Sequence, residues 1–437
     1  TYKTLILTRC FTSDSTTIML LVLCLALVAL GQAEHKSYEG YQVITINPTT
    51  ADDVRDVVSL VADRAMKASY WQDPVAVLPF DVMVAPETAL VFVEALIYKD
   101  IQYTIAVSNV QRFIEREEAS RARGAVSQEE DPVNYILSDY QRHDTINAWL
   151  NDMGSQYAMA NVNSIGSSYE GRDMRAIAIS GGSGRPAIVI DCALHAREWI
   201  TVPTCIYAIQ TLLTQYNSNA DVRAMVDSYD WHFLPVANPD GYEYTHTSDR
   251  MWRKTRSPTN DVLCTGTDAN RNFDAFWGEA GVDFDPCSDV YPGSRAFSEI
   301  ETQNIRDWIQ SIPSKRLYLN VHSYTQLWLT PWGYNPNERY PADYAELERV
   351  ATLAMAGLRS VNGREFIVGT PPDILYPASG GAYDWAKASA GVKYSYAPEL
   401  RPASAIEGGF ILDTTHIMPS GREVFEALRI HAEEMRA

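Results

Sequence analysis

Positive charge is in short supply in this sequence: 36 Lys and Arg face 55 Asp and Glu, leaving a net charge of -19 over 437 residues. Nucleic acids and anionic membrane surfaces are held through basic patches, so this balance argues against both as partners. Long apolar runs are equally scarce. The segment MLLVLCLALVAL, residues 19–30, stands out, and at 12 residues it is too short to span a bilayer comfortably. It opens at Met19 and is followed by small residues at Gly31 and Ala33, the pattern of a signal peptide and its cleavage site. The expectation is a leader over residues 1–33, with 1–18 upstream of the signal, and a secreted, extracellular protein. N-glycan acceptor sites are missing, because the near match at Asn47 is broken by Pro48. A His-Glu-x-x-His helix and a Gly-x-Ser-x-Gly elbow are missing too, which removes the main support for zincin and serine-hydrolase readings.

Cysteine is sparse. Cys10 and Cys24 fall in or before the leader, leaving Cys192, Cys205, Cys264 and Cys287. An even number in a secreted chain suggests two disulfides, and four cysteines allow three pairings; short spacing favours Cys192–Cys205 and Cys264–Cys287.

What is present begins with alternating patterns. YQVITI (41–46), VAVLPFDVMVA (75–85) and YTIAVSN (103–109) read as strands, and 50–66 and 86–97 as helices, a small α+β unit of ferredoxin-like type. Residues 109–132 are polar and charged, with no apolar stripe in the second half. They read as a solvated linker, or as a segment that a trypsin-like protease cuts beside Arg121 or Arg123. From 133 onward, strands at 187–194, 231–237, 316–321 and 392–397 alternate with helices at 200–215, 299–311, 342–360 and 421–435. Two of these helices carry capping-box spacing, Ser298 with Glu301 and Ser420 with Glu423. The alternation predicts an α/β fold, a mixed twisted sheet with helices on both faces.

Polar residues cluster just beyond those strands. His195 and Glu198 follow the first, His322 the third and Glu399 the fourth. If the strands run parallel, all four meet on the rim where open α/β sheets bind ligands. His-x-x-Glu alone is a weak signal: His431 and Glu434 repeat it in the last helix, where a solvated face is the better reading. With His322 the set becomes two histidines and a carboxylate, the donors of a catalytic zinc site that keeps one position open. Glu399 is either a proton acceptor outside the metal or an ion-pair partner of Arg401.

Seven blocks then come in a telling order: HAREW (195–199), NPDG (238–241), RMWRKTRS (250–257), DANRNF (268–273), VHSY (321–324), YPASGGAYDW (376–385) and APELR (397–401). In this order they resemble the pancreatic-type carboxypeptidases A and B, zinc exopeptidases, over about residues 133–437. The resemblance implies one Zn2+ per chain held by His195, Glu198 and His322, with Glu399 as general base. It implies Arg253 on the scissile carbonyl and Asn270, Arg271 and Tyr376 on the substrate's terminal carboxylate. An Arg there suits a carboxylate, since guanidinium offers a planar two-pronged donor. Arg197 and Tyr324 resemble positions that line the binding groove. Both cysteine pairings match bridges of the family, Cys192–Cys205 that of B-type members. Residues 34–123 resemble the activation propeptide, which makes 124–437 the catalytic domain and favours release by cleavage near Arg121 or Arg123. The partners implied are peptide and protein C-termini, an activating trypsin-like protease and the chain's own propeptide as inhibitor, in a monomer.

Two positions depart from the pattern. Where A-type enzymes carry an apolar residue after SGGA and B-type enzymes an Asp, this chain has Tyr383, so the expectation is hydrophobic C-terminal residues in a pocket narrowed by the ring, with Gly333 and Ala397 on its walls. Ala193 stands where glycine is usual. Rival readings are a silent relative that binds C-termini without cutting, and a zinc amidohydrolase acting on N-acylated amino acids.

Overall fold

A computed structural model describes residues 35–436 except 73, 75, 76, 336, 338 and 339. The leader lies outside the described residues. Among them, no helix is long and apolar enough to cross a membrane.

The N-terminal unit comprises β1 (Gln42–Asn47), α1 (Ala51–Ala62), β2 (Ala68–Tyr70), β3 (Phe80–Val84), α2 (Ala89–Tyr98) and β4 (Gln102–Val107). Its strands form an antiparallel sheet in the order β2-β3-β1-β4. Ile44, Ile46, Phe80 and Val82 face Phe92 and Leu96 in a small core. The expected strand over 75–85 is shorter than its apolar run, because Val77 and Leu78 are exposed before the ladder begins at Phe80.

The segment expected as a linker starts instead as a helix, α3 (Val110–Gly124), capped by Asn109, whose side chain accepts from the Gln111 amide at 3.1 Å. Its buried face is polar in the second half, which is why no apolar stripe marks it. Glu117, fully buried, takes Arg250 Nε at 2.7 Å and Nη2 at 2.8 Å, and Arg121 Nε donates to Asp139 at 2.7 Å.

The larger unit runs α4 (His143–Gln156), β5 (Ala160–Ser167), β6 (Asp173–Ile179), β7 (Ala187–Cys192), α5 (Thr201–Gln215), α6 (Ala220–Ser228), β8 (Asp230–Leu234), α7 (Pro239–Thr247), α8 (Ile300–Ser311), β9 (Lys315–Ser323), β10 (Leu327–Leu329), α9 (Tyr344–Asn362), β11 (Ile367–Gly369), α10 (Pro371–Ile374), α11 (Ala382–Ala388), β12 (Tyr394–Leu400) and α12 (Ile417–Glu434). One eight-stranded sheet has the order β11-β10-β12-β9-β7-β8-β6-β5. Its centre, β12-β9-β7-β8, is parallel, while β10 joins β12, and β6 joins β8, antiparallel. On one face Ile188, Ile190, Leu317 and Leu319 pack with Ile206, Leu347 and Val424 of α5, α9 and α12. On the other, Val189 and Tyr318 pack with Ile305, Ile309 and Trp385 of α8 and α11. The mixed sheet covered on both faces is as expected.

Four local expectations fail for tertiary reasons. Neither proposed capping box forms. Helix α8 is capped from afar, Asn272 Oδ1 accepting the Glu299 amide at 3.2 Å and the Thr302 hydroxyl at 2.8 Å, while Glu301 is buried and takes the Tyr169 amide at 2.8 Å. Helix α12 starts at Ile417, so Ser420 is interior and meets the Thr204 hydroxyl at 2.9 Å, and Glu423 pairs with Arg401. His431 is not solvated: it is fully buried against Trp328, its Nδ1 2.8 Å from the Ala427 carbonyl. The Cys264–Cys287 bridge forms, but Cys192 and Cys205 are free buried thiols. They lie among Ile190, Ala208, Phe233 and Val321, acting as small hydrophobes, and burial beside Cys205 pushes the Cys192 thiol up.

Candidate active site

The carboxyl ends of β7, β9 and β12 supply the chemistry. Ala193, the first residue past β7, has φ +53, a left-handed turn that costs a non-glycine residue about 1 kcal/mol and sends the chain sharply into HAREW. The turn is pinned on both sides: the Ala193 amide donates to the Thr201 hydroxyl at 3.1 Å, and its carbonyl accepts from the Asn238 amide at 3.1 Å. Asn238 also donates through Nδ2 to the carbonyls of Leu194 at 3.2 Å and Lys254 at 3.0 Å. The NPDG block thus ties the HAREW loop to the loop carrying Arg253. His322 and Glu399 belong to the strands rather than to loops after them, and they are register partners in the parallel β9–β12 pair.

His195, Glu198 and His322, all buried, offer ligand atoms within 4.8 Å of one another. His195 Nδ1 lies 2.7 Å from Glu198 Oε1 and 3.1 Å from His322 Nδ1, which is 3.0 Å from Glu198 Oε2. The outer nitrogens are engaged elsewhere, His195 Nε2 with Asp268 Oδ1 at 3.0 Å and His322 Nε2 with Asn320 Oδ1 at 2.6 Å. Both Nδ1 lone pairs are therefore left facing inward beside a carboxylate, a donor set that fits one zinc ion.

Charge in the cleft is finely opposed. Burial alone would raise Glu198, but the two imidazoles beside it hold it below the usual carboxylate range. Glu399, equally buried, goes the other way: desolvation and the charge of Glu198 push it well up, against His195, Arg253 and Arg271. It makes no pair with Arg401, which is committed to Glu423. Asp268 is held well below its ordinary value, because Arg253, His195 and Arg271 outweigh its burial. Its Oδ2 takes Arg253 Nε at 3.2 Å and Nη2 at 2.8 Å, so one carboxylate orients both a metal-side histidine and the arginine beside it.

In the same cleft Arg271 sends Nε to the Gly281 carbonyl at 2.8 Å and Nη2 to the Tyr376 hydroxyl at 3.2 Å. Asn270 accepts the Ala382 amide at 2.9 Å. Gly380 lets this happen: at φ +74 a Cβ would lie 2.1 Å from the Arg271 carbonyl. Arg197 lies over the Phe410 ring at 4.2 Å, and the Tyr324 hydroxyl donates to Asp81 of the N-terminal unit at 2.7 Å. The room left by Gly333 is taken by Tyr383, whose hydroxyl would lie 2.1 Å from a Cβ there and has no hydrogen-bond partner among the described residues.

All eleven residues anticipated for metal, catalysis or substrate line one cleft, and Tyr70, Trp71 and Gln72 of the N-terminal unit line it too. Asp268 and Asn320 were not anticipated. Asp268 opens the DANRNF block, and Asn320 stands two residues before His322, on its strand face; that spacing was the available signal.

Residues 146–427 match the zinc carboxypeptidase family and residues 44–117 the carboxypeptidase activation peptide family. The chain is 42% identical over 299 residues to carboxypeptidase B of Astacus astacus, covering 68% of this chain and 96% of that protein. Carboxypeptidase A1 of Mus musculus is 36% identical over 416 residues, 94% of this chain and 96% of the relative. The crystal structure of carboxypeptidase A from Helicoverpa armigera superposes with a TM-score of 0.83 at 29% identity, covering 92% of this chain and 98% of that one. The match thus extends through both units, and the chain belongs to the zinc carboxypeptidases, hydrolases that carry an activation peptide ahead of the catalytic domain.

Proposed function

We propose that this zinc carboxypeptidase is a secreted enzyme that releases hydrophobic C-terminal residues from peptides and proteins, with residues 34–123 as its inhibitory propeptide and 124–437 as its catalytic domain. A trypsin-like cut near Arg121 or Arg123 frees it. The observation that carries the reading is a single cleft lined both by the His195, Glu198 and His322 cluster and by Arg271 beside Tyr376.

Arg271, Asn270 and Tyr376 bind the free carboxylate, and this limits cleavage to the last peptide bond. Arg253, held by Asp268, polarises the scissile carbonyl and stabilises negative charge that develops on its oxygen. His195, Glu198 and His322 would hold the zinc ion, which when bound would supply Lewis acidity toward the carbonyl and water. Glu399, raised by its surroundings, takes the proton of the attacking water and returns it to the leaving amine. Arg197 and Tyr324 line the approach, and the N-terminal unit occupies both, through the Tyr70 carbonyl 3.4 Å from Arg197 Nη2 and the Asp81 carboxylate on Tyr324.

Tyr383 forms the pocket floor for the departing side chain. The adjacent acid, Asp384, is fully buried under Gly333 and pushed up to about 8 by desolvation, so it offers no charge to a Lys or Arg at neutral pH. Hydrolysis of N-blocked dipeptides ending in Phe, Leu, Lys and Glu, before and after trypsin and with a zinc chelator, tests the whole proposal. Chelator-sensitive cleavage of the Phe or Leu substrate appearing only after trypsin is expected. A strong preference for Lys would overturn the specificity, and silence on all four with zinc bound would overturn the hydrolytic roles.

A further inference from the structure

Strand β9 ends in a polar row unusual for the middle of a sheet. Tyr318, Asn320 and His322 lie two residues apart, so they share one face, and all three are buried. In the parallel register with β7, Asp191 is the partner of Asn320. Asp191 is buried too, and both its oxygens act as acceptors: Oδ2 takes the Tyr318 hydroxyl, and Oδ1 takes Asn320 Nδ2 at 2.5 Å. Asn320 Oδ1 then lies 2.6 Å from His322 Nε2. A carboxylate this deep is expensive to desolvate, and the proposed peptide chemistry has no direct use for it.

We propose that Tyr318, Asp191 and Asn320 form a buried relay that positions His322, with Asn320 the positioning residue; the inference rests on reading His322 as a metal ligand. Asp191, accepting from the Asn320 amide N–H, turns the amide oxygen toward the histidine ring. That oxygen requires a proton on Nε2, which leaves the Nδ1 lone pair facing His195 and Glu198. A second neighbour competes, since Asn270 Nδ2 is 3.1 Å from the same Nε2. Its own oxygen is committed to the Ala382 amide, so it can present only N–H, and the closer Asn320 oxygen decides the tautomer. His195 is held differently, by the carboxylate of Asp268 itself. Beside His322 the ring meets a neutral amide, with the charge one bond further back. The arrangement fixes the ring without setting another anion against a cluster that already contains Glu198 and adjoins Glu399.

The test measures zinc affinity by chelator competition, and the His322 ring nitrogen shifts by NMR in the metal-free full-length protein. For Asn320→Leu, zinc binding is expected to weaken about 10- to 100-fold, with His322 losing its preference for the Nε2–H form. Asp191→Asn keeps size and hydrogen-bonding capacity but frees the Asn320 amide to turn; a loss of about 3- to 10-fold and a mixed tautomer are expected. This second variant decides the matter should the first fail to fold. Unchanged affinity and unchanged ring shifts in whichever variant folds would overturn the relay. His322→Ala separates the two claims: loss of tight zinc binding supports the ligand reading, whereas full retention would overturn that reading itself.

Discussion

Glu399 sits where burial and Glu198 push one way and two arginines and a histidine push the other. Glu399→Gln keeps the shape and removes the proton acceptor, so zinc content should stay unchanged while kcat falls by about 10²- to 10⁴-fold. Metal analysis alongside steady-state kinetics checks this, and near-normal turnover would remove Glu399 from the proposed mechanism. Arg253→Ala should lower kcat by about 10²- to 10³-fold through the lost oxyanion donor, whereas a change confined to KM would recast Arg253 as a binding residue. At this scale the sequence marked His195, Glu198, His322 and Glu399, because each follows or ends a strand with a plain apolar pattern, whereas Arg253, Asn270, Arg271, Tyr376 and Tyr383 sit on loops or short helices and were legible only through the family resemblance. Asp268 and Asn320 escaped for a physical reason. Their role is to orient other residues, and a supporting Asp or Asn carries no sequence mark beyond its spacing.

Helix α3 shows how an element can hide. Its docking uses Glu117, Ser120 and Arg121 in place of apolar residues, so periodicity stops halfway along it. The same contacts sort the two candidate cleavage sites. Arg121 pairs with Asp139 and lies 5.1 Å from the Trp199 ring, while Arg123 is exposed. Trypsin is therefore expected to cut after Arg123 first: Arg123→Gln should slow activation far more than Arg121→Gln, as read by the time course of activity and the mass of the released fragment. The reverse order would mean that α3 unfolds before it is cut. Long helices and central strands were legible from pattern, whereas three-residue strands such as β2, β10 and β11 were not, since so few residues cannot display a period. The misjudged caps fail similarly, because local spacing cannot reveal that Asn272 will take the Ser298 hydroxyl or Arg401 the Glu423 carboxylate.

Across the whole molecule, burial of His431 ties stability to acidity. Desolvation lowers it from 6.5 to about 4. Between these values the unfolded chain binds a proton that the folded one refuses, so this contribution is complete above 6.5 and shrinks as pH falls toward 4, by roughly 3 kcal/mol. Glu301, raised by burial to about 7, and Asp384, raised to about 8, act with the opposite sign. The difference between parent and His431→Phe isolates the histidine: the gap in Tm should shift in the variant's favour between pH 7 and pH 4, and a constant gap would show that His431 is charged in the fold. The register of β9 with β12 has another consequence. Since His322 and Glu399 are paired positions on adjacent strands, the separation of their backbones is set by strand spacing, on the order of 4.8 Å, rather than by a loop. Loops around the cleft are thus free to lengthen or exchange for new substrates while the ruler between these two groups stays constant, and a one-residue slip of β12 would turn Glu399 to the opposite face and abolish the chemistry at a stroke.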